Sequence, residues 1–230
     1  MEKEYYPRQR LIDEPRSYGP ISIVSVHPLA VVESVIGDKT RVWAWAHIME
    51  GAEVGKNCNI GEHVFIEKGA AVGDNCILKN GVCVWENIIL ENNVFIASGV
   101  VFTNEKYTRS GYRREHLVTR IRKGATIGAG SVILPGLEIG EYATIGAGSV
   151  VTKSVRPYAL VYGNPTEQHG WVCKCGVVLL INDLEKPYKA KGEYASFYIC
   201  PECQKQYETI FDKMVCLLDD PDIILVERKL

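Results

Sequence analysis

The chain has 230 residues, 47% hydrophobic and 23% charged, with a formal net charge of −2. That composition belongs to a folded globular protein and excludes a disordered or fibrous one. No run of about 18 uncharged apolar residues occurs, so no membrane partner is expected, and the charged stretch Met1 to Tyr18 lacks the apolar centre of a signal peptide, so a cytoplasmic protein is expected.

In chain order, residues 1–20 form a charged N-terminal arm with no motif of its own. The main body, 21–165, is dominated by a repeat. Stepping by six from Ile36 gives Val42, Ile48, Val54, Ile60, Ile66, Val72, Leu78, Val84, Leu90, Ile96 and Phe102, every one aliphatic or Phe. A second run steps through Ile121, Ile127, Ile133, Ile139, Ile145 and Val151. The residue four places after each is usually small or β-branched, as at Ala46, Cys58, Ala70 and Cys76, which makes Cys58 and Cys76 small core residues. Gly, Asn and Asp crowd the intervening positions, where tight corners need them. A helix repeats at 3.6 and a half-buried strand at 2, so a step of six points to short strands joined by corners and stacked as a parallel β-solenoid.

Between Phe102 and Ile121 the step fails, which predicts an extruded loop at about Thr103 to Arg120. Residues 106–123 carry +6, with only Glu115 opposing seven basic side chains, while the rest of the chain carries −8. A basic patch on an acidic protein suits a small polyanion, not a nucleic acid. Arg109 belongs to this patch, and Asn104 opens the loop.

The hexad pattern ends near Pro165. Cys173-x-Cys175 and Cys200-Pro-Glu-Cys203 then read as a zinc-ribbon-like module over 166–230, with four thiolates suited to a tetrahedral structural zinc. In a reducing cytosol these cysteines are not expected to form a disulfide framework. Cys216 is left over and expected to be buried, and Ile223–Val226 alternates as a last short strand.

The hexads resemble those of the hexapeptide-repeat acyltransferases. The resemblance implies an all-β fold, a left-handed parallel β-helix of triangular section with 18 residues per coil, in exception to the right-handed crossover rule. With that coil length, Ala44, Glu62, Asn80 and Ser98 form one column and Trp45, His63, Gly81 and Gly99 the next. Glu62, His63 and Asn80 then make a polar cluster beside open space at the two glycines, unless the face is simply a solvated one. The sequence Ile127-Gly-Ala-Gly-Ser-Val132 recurs as Ile145-Gly-Ala-Gly-Ser-Val150, one coil later, giving a smooth strip for a thin ligand arm.

A narrower resemblance lies in Thr40-Arg-Val-Trp43, His47, Val101-Phe-Thr-Asn104, Arg122-Lys-Gly-Ala-Thr-Ile-Gly128, Tyr158-Ala-Leu-Val161, Gly163-Asn-Pro165 and Gly170-Trp-Val-Cys-Lys-Cys-Gly176. These segments are similar to the N-acetyltransferases that act on UDP-linked 3-amino sugars in surface polysaccharide biosynthesis. The resemblance implies a homotrimer with active sites between subunits, acetyl-CoA as co-substrate and a nucleotide-linked amino sugar as acceptor. It implies pantetheine contacts at Gly128, Ala129, Gly146 and Ala147, with Arg122, Lys123 and Lys153 on the phosphates. It places an asparagine, matched by Asn80 in Lys79-Asn-Gly-Val82, near the reacting amine, and gives the CoA sulfur as one proton acceptor. His63 is the second catalytic candidate, and His116 in the basic loop leaves the choice of base open. Glu62 and Trp85 are candidate substrate contacts, Trp85 by stacking on a base or sugar.

Two other readings compete. An O-acetyltransferase would need a positioned histidine as base, and a non-catalytic trimeric scaffold would bind the nucleotide sugar alone. A metal-dependent enzyme with three histidine ligands does not fit, because His47 and His63 are out of step with the coil.

Overall fold

The computed structural model describes residues 24–112, 115–181, 188–190, 193–210 and 213–216. The N-terminal arm at 1–20, Arg113, Arg114, the strand expected at Ile223–Val226 and the side chain of Cys216 lie outside the described residues.

The step of six becomes a rung of two-residue strands separated by corners. Arg41–Val42, Asn59–Ile60, Ile77–Leu78 and Phe95–Ile96 lie parallel one above another, with Arg41 opposite Asn59, Asn59 opposite Ile77 and Ile77 opposite Phe95. A second sheet stacks His47–Ile48, Phe65–Ile66, Cys83–Val84 and Val101–Phe102, and a third stacks Glu53–Val54, Ala71–Val72 and Ile88–Leu90. The three sheets form the walls of a β-solenoid, and among the described residues there is no helix. Strands this short persist because each peptide group bonds to the coils above and below, as Asn59 N–H does to the Cys76 carbonyl at 2.8 Å.

In the two-residue rungs from Arg41–Val42 onward the first residue faces out and the second faces in, and in Ile88–Leu90 both end residues face in. Ile48, Ile60, Ile66, Leu78 and Ile96 fill the interior completely shielded from solvent, and Ala46, Val64, Ala70, Cys76 and Val82 fill the gaps beneath the corners. Cys58 and Cys76 sit in the core as expected. Their thiols donate to the carbonyls of Gly73 (3.1 Å) and Glu91 (3.0 Å), and the Thr40 hydroxyl donates to that of Gly55 (2.8 Å) in the same way. Among the described residues no buried side-chain nitrogen or oxygen lacks a partner.

The register slips from 18 to 31 residues between Cys83↔Val101 and Val101↔Val132, and the excess is extruded as the loop. The loop closes earlier than the sequence suggests, because Thr119–Ile121 is a strand paired with Ile88–Leu90, so Arg120 belongs to the solenoid wall. His116 clasps its base. Its Nδ1 lies 2.9 Å from Glu86 Oε2, its Nε2 lies 3.6 Å from Glu105 Oε1, and its carbonyl accepts from Asn87 Nδ2 at 3.2 Å.

The last coil runs into a hairpin of Ala159–Gly163 and Thr166–Trp171. Leu180–Ile181, Glu193–Ile199, Gln206–Ile210 and Lys213–Cys216 then form a separate antiparallel sheet, with Tyr188–Ala190 beside Glu193–Ile199. Tyr158, Cys173, Leu179, Tyr198, Cys200, Tyr207 and Met214 make a second core where this module meets the end of the solenoid.

Candidate functional site

The corner between the first and second sheets carries a column of positive φ: Trp45 (57°), His63 (56°), Gly81 (75°), Gly99 (68°), Gly130 (68°) and Gly148 (68°). Glycine takes this conformation without steric cost, so the four glycine corners are relaxed and the two side-chain-bearing ones are not. Beside it runs a second column, Ala44, Glu62, Asn80, Ser98, Ala129 and Ala147. The two are laced together coil to coil: N–H of Gly81 donates to Glu62 C=O (2.9 Å), Gly99 to Asn80 (3.2 Å), Gly130 to Ser98 (3.1 Å) and Gly148 to Ala129 (2.8 Å).

The strip has a polar end. The His63 imidazole stacks on the Trp45 indole at 5.1 Å with 10° between planes. Asn80 Nδ2 donates to Glu62 Oε2 at 3.4 Å. A carboxylate only accepts, so this contact turns the Asn80 amide with its nitrogen toward Glu62, and Oδ1 packs over Gly61, where a Cβ would fall 2.7 Å from it. Glu62 and Asn80 thus meet one coil apart, while the His63 ring on the neighbouring column lies against Trp45. Above them the strip is bare: a side chain at Gly81, Gly99, Gly130 or Gly148 would meet nothing within 4 Å.

The two kinds of glycine in the repeated Ile-Gly-Ala-Gly-Ser-Val segments do different work. A Cβ on Gly128 would fall 2.5 Å from Ala147 N, and one on Gly146 would fall 2.7 Å from Tyr162 Cβ. These two let the coils stack closely, whereas Gly130 and Gly148 open the outer surface. Ser131 and Ser149, both buried, donate to the Gly146 carbonyl at 3.0 and 2.6 Å and fix the upper end of the strip. The sequence alone does not separate the four glycines, because the coil-to-coil contact is not visible along the chain.

Other expected site residues lie elsewhere on the chain. Trp85 is on the next corner, against Phe65 (5.6 Å), with Nε1–H donating to the Phe102 carbonyl at 2.9 Å. Asn104 is half-buried at the start of the loop, and Arg109 is exposed within it. Arg122 and Lys123 are on the third corner, and exposed Lys153 follows Val150–Val151 on the second, so within one chain they do not converge on the strip. Arg122 Nη1 bonds to Glu91 Oε1 at 2.9 Å and its Nε lies 3.7 Å from Glu138; Arg120 is 3.7 Å from Glu91. The charge excess of the basic segment is therefore partly cancelled by Glu91 and Glu138, which a count along the chain does not reach.

Cys173, Cys175, Cys200 and Cys203 converge, with all four sulfurs within 4.8 Å of one another. Cys173 and Cys203 are 3.3 Å apart and Cys175 and Cys200 are 3.5 Å apart, as free thiols. A tetrahedron with metal–sulfur bonds of about 2.3 Å has edges of about 3.8 Å, so the donor set fits a four-coordinate thiolate site. Burial pushes the Cys175 and Cys203 thiols up. Burial also opposes ionisation of Cys173, but hydrogen bonds from Cys175 N–H and Tyr207 O–H outweigh it and hold that thiol below its ordinary value.

The hexapeptide-repeat family matches agree with this architecture. The bacterial transferase hexapeptide family model, six repeats, matches residues 33–68 and 119–153, and the hexapeptide repeat of succinyl-transferase matches 51–86. A dTDP-3-amino-3,6-dideoxy-α-D-galactopyranose 3-N-acetyltransferase from Aneurinibacillus thermoaerophilus is 59% identical over 152 residues, which are 65% of this chain and 79% of that protein. Among solved structures, the acetyltransferase domain of PglB from Neisseria gonorrhoeae in complex with acetyl coenzyme A is 21% identical with a TM-score of 0.48, covering 66% of this chain and 60% of that one. A point mutant of GDP-perosamine N-acetyl transferase from Caulobacter crescentus, in complex with CoA and GDP-perosamine, is 21% identical with a TM-score of 0.43, covering 64% and 57%.

Proposed function

Because this chain belongs to the hexapeptide-repeat acetyltransferases, we propose that it moves the acetyl group of acetyl-CoA to the amino group of a nucleotide-linked 3-amino sugar. The observation that carries this reading is the strip: a polar end of Glu62, His63 and Asn80 continuous with an open run at Gly81, Gly99, Gly130 and Gly148. A reactive head and a thin arm fit those two parts in order.

Acetyl-CoA supplies a thioester carbonyl for attack. Asn80 orients the acceptor amine at the polar end, and Glu62 holds the Asn80 amide in place. The amine loses one proton as the amide forms and the CoA sulfur leaves. His63 is placed at the same end to take that proton, unless the sulfur takes it. Ala129, Gly130, Ala147 and Gly148 line the arm, with backbone close enough for hydrogen bonding and no side chain in the way.

The nucleotide is the finer question. Residue resemblance points to a UDP-linked acceptor, whereas the 59% identical relative is named for a dTDP-linked one. We take the dTDP-3-amino sugar as the first acceptor and the UDP-linked sugar as the comparison, both as intermediates for surface polysaccharide. The remaining expectations join this reading: a left-handed coil, a cytoplasmic homotrimer with sites between subunits, 21–165 as the catalytic solenoid, and 166–230 as a module holding one structural zinc at its four cysteines. Exposed Trp43 and Trp45 at the first corner and Val101 on the second sheet support a subunit interface.

The test is direct. Purified protein is incubated with acetyl-CoA and dTDP- or UDP-linked 3-amino sugars, and a hydroxyl-only sugar nucleotide as control. Acetylated product is read by mass, because the cysteines would interfere with a thiol dye. An N-acetylated nucleotide sugar supports the reading. Acetylation of the hydroxyl control alone would replace it with O-transfer, and a failure to bind acetyl-CoA would remove it.

A further inference from the structure

The third corner of the solenoid changes character at its end. Lower coils place Lys39, Asn57, Asn75 and Asn93 there at positive φ, Gly124 follows, and the last two coils place Tyr142 (55°) and Tyr158 (61°). Asparagine and glycine are the usual occupants of this conformation, and a tyrosine is strained in it. Two in succession need a compensating contact, and the C-terminal module provides it. Tyr142 and Tyr158 stack at 5.4 Å, Tyr158 meets Tyr207 edge-on at 5.7 Å, and Lys174 Nζ lies over the Tyr142 ring at 5.2 Å.

Tyr207 is fully buried, and its hydroxyl is 3.0 Å from Cys173 Sγ. The Lys174 backbone N–H donates to the hydroxyl oxygen at 2.9 Å, which leaves the hydroxyl hydrogen available to the sulfur and, once the sulfur is a metal-bound thiolate, makes Tyr207 the donor. Tyr207 therefore touches the cysteine cluster with its oxygen and the solenoid with its ring. The chain makes the same connection: Val172 N–H donates to the Tyr158 carbonyl at 2.8 Å immediately before Cys173.

We propose that Tyr207 is a positioning residue that couples metal binding at Cys173, Cys175, Cys200 and Cys203 to docking of the C-terminal module on the last coil. The proposal rests on the zinc reading given above. A metal-bound sulfur is a stronger hydrogen-bond acceptor than a thiol, so loading fixes the Tyr207 hydroxyl and with it the ring that Tyr158 packs against. The effect extends to the ligand strip. The module's first cysteine follows the hairpin directly, and the hairpin's Gly163 N–H reaches Ser149 Oγ at 3.3 Å, next to Gly148.

The test uses the full chain as wild type, Tyr207→Phe and the double variant Cys200→Ser/Cys203→Ser. Bound zinc is measured by mass spectrometry, its release by a coloured chelator, and module docking by limited proteolysis, with circular dichroism following the solenoid. One zinc per chain is expected in wild type and in Tyr207→Phe, which keeps all four sulfurs. Tyr207→Phe should lose it to the chelator about 10- to 100-fold faster. Zinc-stripped wild type and the double variant should be cleaved within 166–230 while the solenoid signal persists. Wild type that binds no zinc after reconstitution removes the metal reading and this inference together. Zinc that binds but can be stripped without altering cleavage overturns the coupling alone, as does release from Tyr207→Phe at the wild-type rate. If Tyr207→Phe does not fold, the comparison of loaded and stripped wild type still decides the coupling.

Discussion

The ring of Tyr142 lies in the space where Gly124, one coil below, would carry a side chain. Gly124 also has φ of +72°, so it is required twice, by backbone conformation and by the ring above it. Gly124→Ala is expected to cost about 2–4 kcal/mol, from the positive-φ penalty together with overpacking. Gly81→Ala, at φ +75° with open space beyond, should cost only about 1–2 kcal/mol. Thermal or denaturant unfolding of the pair measures the difference, and equal losses would mean the ring moves aside freely.

The open glycines separate ligand access from folding. Asparagine tolerates positive φ, so Gly148→Asn should fold while placing a side chain on the strip. The expected result is a KM for acetyl-CoA raised about tenfold or more, the loss of about 1.4 kcal/mol of binding, with kcat changed less. Steady-state kinetics at saturating acceptor check it, and an unchanged KM would place the arm elsewhere.

The polar end should respond unequally. Asn80→Ala is expected to lower kcat about 100-fold, in the range seen when one preorganised polar contact at a reacting centre is lost. Glu62→Gln should have a smaller effect, because a neutral amide can still hold Asn80. His63→Gln tests the base: a loss near 100-fold assigns the proton to the imidazole, whereas a loss below about threefold leaves it to the departing sulfur.

His116 is a clasp at the loop's base, held by Glu86 and Glu105. His116→Gln should loosen the loop, seen as faster proteolysis between Thr103 and Val118, with less than about tenfold loss of kcat. A loss comparable to that of Asn80→Ala would instead make His116 the base and favour a hydroxyl acceptor.

Core truncation is expected to follow ordinary packing energetics. Leu78 is completely buried at the centre of the prism, so Leu78→Ala should destabilise by about 2–5 kcal/mol in denaturant unfolding.

The hexads and the columns of stacked residues are legible in the sequence because a fixed coil length turns positions 18 apart into neighbours. That is why Glu62 meets Asn80, and Trp45 meets His63, each pair 18 residues apart. Legibility ends wherever the period breaks. Across the loop the coil spans 31 residues, so the pairing of Arg122 with Glu91 is hidden and the basic segment looks less compensated than it is. Trp85 reads as a stacking platform, and the spacing does not announce that its indole N–H is held by the Phe102 carbonyl on the second corner. At the last coil the spacing shortens to 16, Thr144 facing Leu160, and nothing along the chain announces that Tyr158 will meet Tyr207.

The hairpin has a consequence beyond the ligand strip. A stack of parallel rungs is a template at its exposed end, ready to receive another copy's first rung and grow into a fibre. Here the first sheet does not end on a parallel strand: the chain turns back after Gly163, and Thr166–Trp171 runs antiparallel to Ala159–Gly163. An incoming Ser25–Val26 rung would meet a neighbour of reversed direction, out of register with the six-residue step. Reversal of one strand thus removes the parallel template edge from that sheet, while the second sheet still ends on the parallel rung Val150–Val151.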